Sequence, residues 1–121
     1  MNTITDVTGV SVPVSDQDDG IAFFTDKLGF EVRRDAHMGD TLRWVTVGAP
    51  GATVEVALQH DPDTIGHETG IRFASADAQA EHERLTEQGV AVDELLRWPG
   101  VPPMFKFRDP DGNIYTIIET S

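Results

Sequence analysis

Apolar and polar residues alternate most clearly near the start of this chain. Between Val7 and Val14, Val10, Val12 and Val14 share one face while Gly9, Ser11 and Pro13 share the other, which predicts a strand. Pro13 removes a ladder donor and places that strand at an edge or a bulge. Ser15 or Asp16 then caps a helix running to about Leu28. Asp18 and Asp19 sit in its first turn, Ile21, Phe24 and Leu28 form its buried stripe, and Gly29 stops it. Gly20 is unfavourable inside such a helix. Three strands follow, at 30–34, 42–47 and 53–59, with turns at Gly39-Asp40 and Gly48 to Gly51. After a polar linker from His60 to Glu68 the order repeats. A strand at 71–75 leads to a helix capped by Asp77 and ending at Gln88-Gly89, then to strands near 92–97, 104–108 and 113–119. Trp98 to Pro103 holds three prolines and reads as a stiff loop.

The repetition extends to detail. Pro50-Gly51 feeds the β-branched run from Ala52 to Leu58, and Pro110-Asp111-Gly112 feeds the run from Asn113 to Ile118. Gly9 to Asp16 and Gly70 to Asp77 both read as a short strand ending at an acidic helix cap. The chain therefore divides into a first module over 7–59 and a second over 69–120, within a single domain of residues 1–121. A duplicated unit usually holds its ligand where the copies face each other, which directs attention to inner strand faces.

Composition narrows the partners. A length of 121 residues suits one domain with a real core. The formal net charge of −12 argues against nucleic acid and against anionic membranes. Cysteine is absent, so disulfides, thiolate ligands and cysteine nucleophiles are excluded. No apolar run reaches the roughly 20 residues of a membrane helix, and the N-terminus lacks the features of a secretory signal, so a cytoplasmic protein is expected. Lysine occurs only at Lys27 and Lys106 beside seven arginines, a bias that fits a salt-rich cytoplasm or a GC-rich genome equally.

The order strand, helix, three strands, taken twice, with Lys27-Leu28-Gly29-Phe30 after the first helix and Asp109-Pro110-Asp111-Gly112-Asn113 before the last strand, resembles the vicinal oxygen chelate superfamily. That group contains glyoxalases, extradiol dioxygenases, fosfomycin-modifying enzymes and bleomycin resistance proteins. The resemblance spans Val7 to Thr120. It implies an α+β fold in which two βαβββ modules form an open, cup-shaped, eight-stranded mixed sheet with helices outside, and a homodimer whose modules pair within or across chains. Enzymes of the family hold a divalent metal through one residue from the first strand and one from the last strand of each module. Carried onto this sequence, those positions are Gly9, Glu55, Gly70 and Thr116. Glycine coordinates nothing through a side chain, a threonine hydroxyl is a poor ligand for zinc, nickel or iron, and one carboxylate does not replace three protein ligands. No metal cofactor is therefore expected, a divalent ion at Glu55 being the alternative. His37, His60, His67 and His82 show no ligand spacing; only His67, three residues before Gly70, would reach the cup's rim, and then only with a shift in register.

Alternation from these positions gives the inner face. It holds Gly9, Ser11 and Pro13; Thr53, Glu55 and Ala57; Gly70, Arg72 and Ala74; Ile114, Thr116 and Ile118; and Met104, Lys106 and Arg108. Trp44 belongs either to the cup wall or to the core. The ligand-binding candidates are thus Trp44, Glu55, Arg72, Met104, Lys106 and Thr116, with Glu55 also the candidate general base if burial raises its pKa. A plain ion pair between Glu55 and Arg72 is the structural alternative. The expected function is a metal-independent protein that binds a small polar or anionic molecule. A glyoxalase- or dioxygenase-type enzyme using Glu55 with unusual partners is the alternative, and a ligand-free dimeric interaction module is a third. Glu119 falls on the other face from Thr116 and reads as a surface or subunit-contact acid.

Overall fold

The structure, a computed structural model, describes residues 2–120. The chain divides into two compact units at Pro62/Asp63. The first contains β1 (Gly9–Val14), α1 (Gln17–Ala22) continued by a π-helical turn over Phe23–Lys27, β2 (Glu31–Met38), β3 (Leu42–Gly48) and β4 (Glu55–His60). Its four-stranded sheet has the order β1-β4-β3-β2, with β1 parallel to β4 and the other pairs antiparallel. The second unit contains β5 (Glu68–Ser75), α2 (Ala78–Glu87), β6 (Ala91–Val92), β7 (Leu96–Trp98), β8 (Val101–Arg108) and β9 (Ile114–Glu119). Its sheet runs β5-β9-β8-β6, with β7 also on β8 and β5 parallel to β9. Two mixed sheets, the first built in βαβββ order and the second in the same order with one strand added, make an α+β fold.

Each sheet buries one face. In the first unit Val12, Val14, Val45, Val47, Val56 and Leu58 are buried together with Phe23 and Phe24. Gly20 is explained by close packing of α1 here: a Cβ at that position would lie 3.2 Å from Val14 Cγ1 and 3.3 Å from Leu58 Cδ1. In the second unit Phe105, Phe107, Tyr115 and Ile117 are buried along with Ala78, Leu85 and Val90. Both helices begin at the expected acidic caps. The Asp16 carboxylate accepts from Asp19 N and that of Asp77 from Ala80 N, each at 3.0 Å.

Several expectations are corrected. Among the described residues the two mixed sheets hold nine strands rather than the expected eight. The extra strand arises because the run expected at 92–97 is broken into β6 and β7. Val92 pairs with Phe107 and Leu96 with Met104, so a four-residue step faces a three-residue step and one residue is extra. The first helix is α-helical only to Ala22. Phe23 and Phe24 are consecutive and both buried, whereas a regular α-helix turns about 100° between neighbours. Strand β2 continues to Met38, beyond the expected Arg34, because pairing with β3 rather than burial holds it. The proline-rich loop is a hairpin, with Trp98 opposite Val101. Pro102 and Pro103 are tolerated because β9 pairs with β8 only from Met104 onward. Glu119 is not a free surface acid: its Oε1 accepts from Ala78 N at 3.0 Å, at the start of α2.

Candidate functional site

The face of the first sheet opposite its buried valines carries a cavity of about 340 Å³ lined by Thr8, Gly9, Val10, Ser11, Arg34, Trp44, Thr46, Glu55 and Ala57, with Thr46 and Ala57 buried at its floor. Register explains the grouping. Gly9 lies opposite Glu55 on β4, while Ser11, Ala57, Thr46 and Arg34 form one row across β1, β4, β3 and β2. Trp44 stands two residues from Thr46, on the same face, and opposite the small Ala36. The register of its strand thus assigns Trp44 to the cavity wall.

Glu55 is the centre of this polar group. Thr46, buried in the sheet, donates its hydroxyl to Glu55 Oε1 at 2.6 Å. Arg34 Nε lies 3.6 Å from the same oxygen, with side-chain exposures of 66% for Arg34 and 26% for Glu55. Such an open ion pair contributes little stability, and Glu55 is not the fully desolvated acid that proton abstraction favours. Arg34 was not among the residues selected from the sequence. A bulge between Val32 and Arg34 inserts Arg33 and turns Arg34 toward Thr46. Arg33 instead ties down the β3–β4 turn, donating to Ala49 O at 2.6 Å and Ala52 O at 3.1 Å. Thr46 was missed too: it repeats Trp44 at the period of a strand, but the face that the pair takes depends on the register of β3.

The other sequence-selected residues lie in the second unit. Arg72, Thr116 and Lys106 form one row across β5, β9 and β8, and Met104 lies two residues further along β8, opposite Ile118. Lys106 Nζ donates to Glu68 Oε2 at 2.7 Å, and that ammonium is the main reason the Glu68 carboxyl is held below the usual range. Arg108 likewise meets Asp93 at 2.7 Å. Arg72 has no ion-pair partner among the described residues. The expected residues therefore fall into two groups, Trp44 and Glu55 on one sheet and Arg72, Met104, Lys106 and Thr116 on the other.

A second cavity of about 580 Å³ lies at the far end of the first sheet, lined by residues including Gln17, Met38, Leu42, Trp44, Leu58 and His60. Strands β3 and β4 are paired only at Thr46–Ala57 and Val47–Val56. Beyond that point the Gln17 amide bridges them, donating to Arg43 O and to Leu58 O, both at 2.9 Å. Arg43 is held by Asp35 and Asp18; hydrogen bonding to it keeps the Asp35 carboxyl below its ordinary range and raises the guanidinium's own pKa.

The four positions that the superfamily's enzymes use for a metal do not fit one here. Glu55 supplies the one carboxylate, Thr116 only a hydroxyl, and Gly9 and Gly70 no side chain. The backbone enforces both glycines. A Cβ at Gly9 would stand 2.9 Å from the backbone oxygen of Glu55, and Gly70 has φ +74 within the β5 bulge, a conformation that strains any L residue. Among the described residues no three His, Asp or Glu side chains converge as a metal-binding group. His82 is a structural residue, with Nε2 2.9 Å from Asp93 O and its ring edge-on to Phe105.

The Asp109-Pro110-Asp111-Gly112 turn is structural. The Asp109 carboxylate accepts from Asp111 N, Asn113 N and Asn113 Nδ2, each at 3.0 Å, and from the Tyr115 hydroxyl at 2.7 Å. Asn113 Oδ1 in turn accepts from Gly66 N at 2.9 Å. Burial, and then the neighbouring Asp109 charge, push the Tyr115 phenol well above its ordinary pKa.

Comparison with known proteins agrees with this architecture. The pattern of the Glyoxalase/Bleomycin resistance protein/Dioxygenase superfamily matches residues 5–116. A superfamily member of known structure from Sphaerobacter thermophilus DSM 20745 superposes with a TM-score of 0.90 and 32% identity over 98% of this chain and 100% of that one. TnmS3, an antibiotic binding protein from Streptomyces sp. CB03234, gives a TM-score of 0.86 and 32% identity over the whole of both chains. YurT of Bacillus subtilis (strain 168) is 31% identical over 90% of this chain and 94% of its own length. The chain belongs to the Glyoxalase/Bleomycin resistance protein/Dioxygenase superfamily. Among the described residues no helix is long and apolar enough to cross a membrane.

Proposed function

We propose that this superfamily member binds a small polar organic molecule in the cavity of its first sheet, without the divalent metal of the superfamily's enzymes. The observation that carries this reading is Glu55. It occupies a metal-donor position, yet it faces a glycine that the backbone enforces, and its Oε1 is already engaged by Thr46 and Arg34. Around it lies a concave space of small-molecule size with one aromatic wall and several hydroxyls, the usual make-up of a ligand pocket. Likeness over its full length to an antibiotic binding protein supports binding over chemistry.

Metal-stripped protein should bind members of a drug and metabolite panel, read as a rise in Tm and confirmed by calorimetry. Trp44→Ala should abolish that response and Glu55→Ala should weaken it for ligands that donate a hydrogen bond, while both leave the fold intact. A panel with no response, or a response that appears only after a divalent cation is added, would sink the reading.

A further inference from the structure

We propose that Glu55 makes the first-sheet cavity selective for a neutral hydrogen-bond donor carried on a flat ring, a phenol being the simplest case; this rests on the binding reading above. Glu55 Oε1 is occupied by the Thr46 hydroxyl at 2.6 Å and faces Arg34 Nε at 3.6 Å. Glu55 Oε2 accepts no hydrogen bond among the described residues. Gly9, directly across from Glu55, has no side chain to fill the space beside it, and a Cβ there would collide with the Glu55 carbonyl. The cavity therefore presents one carboxylate oxygen to an incoming molecule.

That oxygen only accepts, so an acceptor or an anion placed against it meets an unpaired lone pair and like charge. Arg34 offsets the charge locally, which disfavours a cation in the same place. A neutral O–H or N–H satisfies the oxygen without either penalty. Trp44 lines the same cavity and offers its face or edge to a planar ring. A ring against Trp44 with a hydroxyl directed at Glu55 uses both features.

The test uses Trp98→Phe protein, so that Trp44 is its only tryptophan and its indole N–H resonance is unambiguous. Three probes sharing one naphthalene ring system are titrated: 2-naphthol, 2-methoxynaphthalene and 2-naphthoate. The naphthol is expected to bind roughly tenfold more tightly than either of the others, the contribution of one hydrogen bond to a charged acceptor. In Glu55→Ala the naphthol should fall to the level of the ether, with the ether unchanged. If that variant does not fold, Glu55→Gln replaces it; its amide also donates, so the naphthoate should gain on the naphthol. Equal binding of the three probes to the Trp98→Phe protein, or a preference for the naphthoate, overturns the selectivity but leaves the cavity a binding site. If no probe moves the Trp44 resonance, the binding reading itself falls.

Discussion

Replacing Tyr115 by phenylalanine removes one hydroxyl and leaves the ring. Tyr115 is the chain's only tyrosine, is fully buried, and donates at 2.7 Å to Asp109 while its ring stacks on Phe107 with centroids 5.1 Å apart. Hydrogen bonds to charged groups contribute about 1.5–3 kcal/mol. Asp109 keeps three other donors in the variant, so a loss of about 1.5–2 kcal/mol is expected, or about 5–10 °C in Tm for a chain of this length. The pH dependence is more telling. Burial raises the phenol's pKa in the folded state, so the neutral form is favoured by folding. That contribution is complete below the unfolded-state value near ~10 and is lost as pH rises from there toward the folded-state value, at up to about 1.4 kcal/mol per pH unit. Urea denaturation at several pH values between ~7 and ~11 would show the wild type ahead of Tyr115→Phe at neutral pH, with the gap closing only in the alkaline range. Phenolate absorbance of the native protein should stay low through that range. A gap that does not change with pH, or a native phenolate signal rising near pH ~10, would refute the reasoning.

Other substitutions probe the first unit. Gly9→Ala forces a Cβ against the Glu55 carbonyl and should cost about 1–3 kcal/mol by chemical denaturation, with no loss if the strands can part. Glu55→Ala should cost about 1–2 kcal/mol, chiefly the bond to Thr46, well short of the 3–5 kcal/mol typical of orphaning a buried cation. Gln17→Met keeps the side chain's bulk but removes both bridges between β3 and β4. It should cost about 1–3 kcal/mol and speed amide exchange near Arg43 and Leu58.

Much of this architecture was legible because it is written in local chemistry. Asp16 and Asp77 announce helix starts, β1 alternates cleanly, and the Pro-Asp-Gly turn needs its particular residues. What escaped was the set of features decided by pairing between strands. The polar, exposed β2 shows no alternation, and its bulge, which brings Arg34 rather than Arg33 to Glu55, depends on its fit to β3. The proline hairpin and the split of β6 from β7 likewise depend on register against β8. Gly9 and Gly70, each in its own unit, could be read as missing ligands. That the backbone requires them became visible only from the approach of Glu55 O and the positive φ at Gly70.

The central claim, a binding cavity that works without a resident ion, is tested most directly by elemental analysis of protein purified in the absence of chelators. Nickel, zinc, iron and manganese should each remain far below one ion per chain, and adding them should not raise Tm. One tightly held ion per chain that disappears in Glu55→Ala would contradict the account.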